Sequence, residues 1–139
     1  MRCRSDRRGE RRGAAMVEMA VLMPVMVLLV LGMLEASRMC MVAQLLANAA
    51  GEGCRVAVSM RKTSQDVTTR VAATLTAAGI APSLVTASLS PSSIETTRLN
   101  VPIKLTLNVN FSQVNWLPTP FFFKSSTVSA SAVMLSQRP

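Results

Sequence analysis

From Met19 to Leu34 the chain runs for sixteen residues without a charge (MAVLMPVMVLLVLGML), directly behind an arginine-rich tip. No other feature limits the fold so strongly. A run this apolar leaves water, and its basic flank places the N-terminal side in the cytoplasm by the positive-inside rule. Sixteen helical residues span roughly 24 Å, short of a hydrocarbon core of about 30 Å. Extension back to Ala14 gives about 31 Å, which suffices. Glu18 then lies inside the apolar segment, about 6 Å along the helix from Ala14. An ionisable residue there is a functional-site candidate. The competing reading is a carboxylate that snorkels to the headgroups while the bilayer thins locally.

The charge pattern and the missing residue types remove several function classes. The net charge is +8, and residues 1–13 carry six Arg against Asp6 and Glu10, half of that excess. An arginine-rich arm can bind nucleic acid through counterion release. Phosphate contacts alone carry no sequence information, however, and this arm leads straight into a membrane-length run, so no nucleic-acid partner is expected. The chain has no His, which excludes a Ser-His-Asp triad, a Cys-His dyad and any His-ligated metal. Three Cys make no disulfide-dense scaffold, and two of them cannot close a zinc site. Ser and Thr are abundant but lack a neighbour to activate them. No GxGxxG, P-loop or EF-hand spacing occurs. The expectation is a protein without catalytic residues, metal or cofactor, of one domain plus an appendage.

A secretory signal peptide would have an apolar region of about 7–15 residues ending shortly before an A-x-A site. Ala47-Asn48-Ala49 has that spelling but lies beyond Glu35 and Arg38. The leader stops instead at a Gly followed by small residues, RRG-AAMVEMAVLMPVMVLL. With the basic leader, the uninterrupted apolar run and the Glu35-x-x-Arg38 pair, the string RRGAAMVEMAVLMPVMVLLVLGMLEASRMCMVAQLLANAAGEGCRVAV resembles the N-terminal segment of TadE-like proteins. These are pseudopilins of the tight-adherence (Flp) pilus system, a relative of type IV pili, and the resemblance covers about residues 11–58.

The resemblance implies that a prepilin peptidase cuts between Gly13 and Ala14 on the cytoplasmic side. Glu18 becomes the fifth residue of the mature helix, and Pro24 falls where TadE-like sequences often carry Pro. Where several Flp pilins have an aromatic after the Glu, this chain has Met19. Residues 1–13 are then a removable leader, 14–34 a transmembrane helix, and 35–139 an extracytoplasmic domain. Major Flp pilins are much shorter after processing, so the implied role is a minor pilin-like structural and assembly subunit, held in the inner membrane before assembly. Its implied partners are the prepilin peptidase, other pilin and pseudopilin subunits, an inner-membrane assembly platform and membrane lipid. Glu18 would set axial register by reaching the new α-amine of an adjacent subunit. The alternative is an unprocessed single-pass envelope protein whose extracytoplasmic domain binds a protein partner.

Beyond the apolar run the period stays helical. Val42, Leu45, Leu46, Ala49, Gly53, Val56 and Met60 share one face, while Gln44, Asn48, Glu52, Arg55 and Ser59 line another. Gly51 and Gly53 each cost about 1 kcal/mol relative to Ala, which predicts a bend. Cys40 and Cys54 lie roughly 21 Å apart on a continuous helix, beyond disulfide reach, and read as small buried hydrophobes. A second helix is predicted over Asp66–Ala78, capped by Ser64 or Asp66 and ended by Gly79 and Pro82.

After Pro82 the period changes to two. Val85, Ala87 and Leu89 alternate with polar residues, and so do Leu99, Val101, Ile103, Leu105, Leu107, Val109 and Phe111. Pro102 marks an edge strand or a late entry into the ladder. A third strand is predicted near Thr127–Leu135. The fold class is therefore α+β: a long N-terminal transmembrane and amphipathic helix, a short second helix and an antiparallel sheet of about three strands. All five aromatics fall between Phe111 and Phe123. Trp116, Phe121, Phe122 and Phe123 either fold back to close the sheet or form an exposed docking patch for another subunit or a surface.

Overall fold

A computed structural model describes residues 6–95, 97–115 and 122–137, with side chains from residue 13 on. One helix, α1 (Asp6–Val58), accounts for more than a third of the chain. Its Ala, Met and Leu are strong helix formers, and it runs on past Pro24. Two regimes divide it. Residues 13–30 are exposed all round, although nearly all are apolar, so this stretch is long and apolar enough to cross a membrane. From Glu35 onward one stripe turns inward: Glu35, Arg38, Val42, Leu46, Ala49, Gly53 and Ala57 are all buried. An apolar perimeter suits lipid, and a single buried stripe suits packing on a domain.

The expected bend at the glycines does not occur; α1 continues through both to Val58. Gly53 is there for closeness, not for flexibility. A Cβ at Gly53 would stand 2.5 Å from Leu105 Cδ2 and 2.7 Å from Val71 Cγ2, so only hydrogen fits where the sheet and the second helix press on α1 together.

Helix α2 (Ser64–Ala77) starts two residues earlier than the period suggested. The cap is Thr63. Its hydroxyl accepts from the Asp66 N–H, and the Asp66 carboxylate accepts from the Thr63 N–H at 2.9 Å. This reciprocal box satisfies two otherwise orphaned donors. The Thr63 backbone N–H and hydroxyl hold the Asp66 carboxyl below its ordinary value. At the far end, Gly79 takes φ +74°. The Ile80 N–H reaches the Leu75 carbonyl at 2.9 Å, and the Gly79 N–H reaches Thr76 at 3.0 Å. These are the two bonds of a Schellman ending, which needs the left-handed residue that Gly supplies. Val67, Val71 and Leu75 are the buried face of α2. Glu95 closes over the start of the helix, accepting from Ser64 N–H at 2.8 Å and from Ser93 Oγ at 2.7 Å. The Ser93 hydroxyl and the Ser64 N–H pull its carboxyl down to about 2.

A short 3-10 turn (Pro82–Leu84) leads into β1 (Val85–Ser90), followed by β2 (Pro102–Asn110) and β3 (Thr127–Leu135). They form one antiparallel sheet in the order β1-β2-β3, with Val85 opposite Val109 and Val109 opposite Val128. Ile103, Leu105, Leu107 and Val109 point into the core, which α1 and α2 cover. Pro102 is the first residue of the central strand, so it marks late entry and not an edge. The long alternation from Leu99 to Phe111 is shorter as a strand than as a pattern. Asn100, at φ +64°, turns the chain before β2, and Leu99 is left exposed. Phe111 is fully buried but opens a one-turn helix, α3 (Phe111–Val114), capped by the Asn110 side chain through the Ser112 N–H.

The two helix cysteines differ. Both are free, as a shared helix requires, but Cys40 is exposed and only Cys54 is buried. Cys40 falls outside the buried stripe, which passes through Arg38 and Val42 instead. Cys54 faces β3 and donates to the Ala132 carbonyl at 3.3 Å, and burial pushes its thiol pKa up. Because the thiolate is the nucleophile, a maleimide should label Cys40 of a Cys3→Ser chain promptly and leave Cys54 unmodified until unfolding. Equal labelling rates would mean that α1 does not pack on β3.

Candidate functional site on helix α1

The residues singled out for processing and register lie on the exposed half of α1. Gly13 and Ala14 are helical, and among the described residues nothing approaches within 4 Å of where a Gly13 Cβ would stand. Glu18 is exposed on the same stretch, little more than one helical turn from Ala14. The folded domain begins only near Glu35, so both features stand well apart from it along the helix axis.

Glu35 is a carboxylate of another kind. It is 0% exposed and sits where α1 passes from its lipid-like perimeter to its packed stripe. Its Oε2 accepts the backbone N–H groups of Phe122 at 3.0 Å and Phe123 at 3.3 Å. One turn on, the buried Arg38 donates from Nε to the Val114 carbonyl at 3.1 Å. Two charged side chains at i and i+3 therefore hold the chain on both sides of residues 115–121. Hydrogen bonds to charged groups are the stronger kind, and a carboxylate taken this far from water needs them.

The clasp sends the two described aromatics of the candidate patch in opposite directions. Phe123 turns inward and meets Phe111 edge-on, with ring centroids 6.4 Å apart and planes at 88°. Phe122 stays 56% exposed and lies against Gly32 of α1, where a Cβ would be 3.4 Å from its ring. Of the two expectations for the aromatic loop, folding back holds for Phe123, while its neighbour Phe122 stays exposed. Trp116 and Phe121 lie outside the described residues.

The resemblance includes Glu35 and Arg38 without implying this structural role for them. A signal for that role was present. Positions 35, 38, 42, 46 and 49 follow steps of three and four, so the two charges extend the apolar stripe instead of facing water.

The family described as TadE-like protein matches residues 13–55, in agreement with the resemblance. The match begins at Gly13 and takes in Glu18, Glu35 and Arg38, but it covers less than half of the chain. No curated protein and no solved structure matches.

Proposed function

We propose that the chain is a minor pilin-like subunit of a tight-adherence pilus, with a structural and not a catalytic role. A prepilin peptidase cuts it between Gly13 and Ala14, and residues 14–34 hold it in the inner membrane until assembly, with residues 35–139 outside the cytoplasm. The observation that carries this reading is the TadE-like match over residues 13–55, which spans the whole passage from apolar helix to folded domain. The family suggests a Tad pilus-related minor pilin that interacts with other pilus components. A single long apolar N-terminal helix fits a single-pass membrane protein.

On this reading cleavage creates an α-amine on Ala14, protonated at neutral pH. Glu18 lies on the same helix and faces sideways, a poor partner for its own terminus. It is well placed for the amine of a subunit displaced along the helix axis, where low dielectric strengthens the attraction. Glu18→Ala and Glu18→Gln are therefore expected to insert and be cleaved normally, while their content in sheared pili falls about tenfold, the loss that corresponds to about 1.4 kcal/mol. Incorporation of the Gln variant at the wild-type level would refute the pairing.

A further inference from the structure

On the Phe122 side of α1 the exposed helix and the folded domain enclose an open groove of about 570 Å³. Val25, Leu28, Leu29, Gly32, Met33 and Ala36 form its floor, and Phe122 and Phe123 form its domain-side wall. The floor residues are one helix face, stepping by three and four, and run about 16 Å along the axis. That is close to the depth of one leaflet, half of a core of about 30 Å. The lining presents almost no polar surface. Gly32 makes the groove deep where Phe122 overhangs it, and Glu35, one turn further on, fixes that overhang through the two backbone N–H groups.

We propose that this groove seats an acyl chain of a phospholipid from the leaflet facing the sheet domain, with the Phe122 ring at the headgroup boundary. The inference rests on residues 14–34 spanning the membrane. Given that span, the groove lies at hydrocarbon depth, where an unfilled apolar hollow forfeits dispersion contacts and lipid tails are the abundant apolar solute. Its shape favours a tail over a second copy of the chain. A copy in register has an α1 that continues to Val58 and collides with the Phe122 overhang, whereas an acyl chain ends at that level. Lys124, exposed two residues further on, can lay its stem along the apolar surface and keep its ammonium at headgroup level.

The test uses the full chain with Trp116→Phe, which removes the single Trp, and Phe122→Trp as the probe. The chain is reconstituted in phosphatidylethanolamine–phosphatidylglycerol vesicles with and without bromine on the acyl carbons nearest the headgroup. Brominated lipid should lower the emission of the Phe122→Trp chain at least about twofold, as for an indole at the interface, and aqueous acrylamide should have little effect. The reverse pattern overturns the proposal. Val27→Trp, on the face away from the groove, reports on the span itself in the same background, with bromine near the ends of the acyl chains to match its depth. Quenching at position 27 without quenching at 122 overturns the groove alone, and no quenching at either overturns the span and the groove with it. Quenching at 122 that fades as the protein-to-lipid ratio rises means that a second copy fills the groove, which also overturns it. Because Phe122→Trp could perturb the loop, the unaltered chain is also irradiated with a diazirine-acyl phosphatidylglycerol. Adducts should concentrate on Leu29 and Phe122 over Val27 and Leu31 of the opposite face, and equal labelling of both faces contradicts the proposal.

Discussion

Gly53→Leu is expected to cost about 3 kcal/mol or more, enough to unfold much of the domain population, because overpacking a filled core costs about 1–3 kcal/mol even for smaller insertions. Already the first carbon of the new side chain would stand 2.5 Å from Leu105 Cδ2 and 2.7 Å from Val71 Cγ2. Leu105 is 2% exposed and Val71 5%, so neither has open space to move into, and the β-branched Val71 is stiff. Gly53→Ala separates two opposed effects. Helix propensity favours Ala by about 1 kcal/mol, and the clash offsets or exceeds that gain. A net loss for Ala, read as an earlier urea midpoint in detergent, supports the packing account. A stabilised Ala variant would show that α1 stands further from the sheet. Gly51 is the control, since nothing lies within 4 Å of its Cβ position, and Gly51→Ala should stabilise the chain.

The second large effect is expected at Glu35. In Glu35→Ala the N–H groups of Phe122 and Phe123 lose the acceptor that holds them at 3.0 and 3.3 Å. A buried donor left unmade costs about 1–3 kcal/mol; these two are only part-buried, so a total near the low end, about 2–3 kcal/mol, is expected. The cost falls on the attachment of the loop more than on the sheet. Lys124, just beyond the clasp, should therefore become a fast trypsin site while Cys54 stays protected. Glu35→Gln keeps one acceptor oxygen but loses the charge and turns the other oxygen into an NH2 donor, so its effect should be smaller, about 1–2 kcal/mol. Identical behaviour of the Ala and Gln variants would mean that a hydrogen bond to this carboxylate is not what holds the loop.

Where periodicity is strong, the sequence was a reliable guide to the fold. The alternation of Ile103, Leu105, Leu107 and Val109 gives the central strand, and the Thr127–Leu135 strand has the expected bounds. Errors fall where a local rule competes with a contact distant in sequence. Gly53 reads as a helix weakener, yet its reason for being Gly lies 52 residues away, at Leu105. Thr63 is the cap although Ser64 is also a good capping residue, and only the reciprocal bond with Asp66 decides between them. Leu99 and Val101 keep the strand period but flank the turn at Asn100, ahead of the start of β2 at Pro102. Cys40 is apolar enough for a core but falls between the buried positions 38 and 42. The clasp was the least legible feature, because a buried carboxylate is recognised by what bonds to it, and its partners are backbone groups 87 and 88 residues on.

Processing after Gly13 is the central claim, and the intact mass of the chain from membranes of a cell with an active pilus system tests it most directly. The account predicts a polypeptide beginning at Ala14, lighter than the 139-residue precursor by its first thirteen residues, and accumulation of the uncut form for a variant with a bulky residue at Gly13. A chain recovered intact from Met1 would contradict the account and point to a permanently anchored envelope protein.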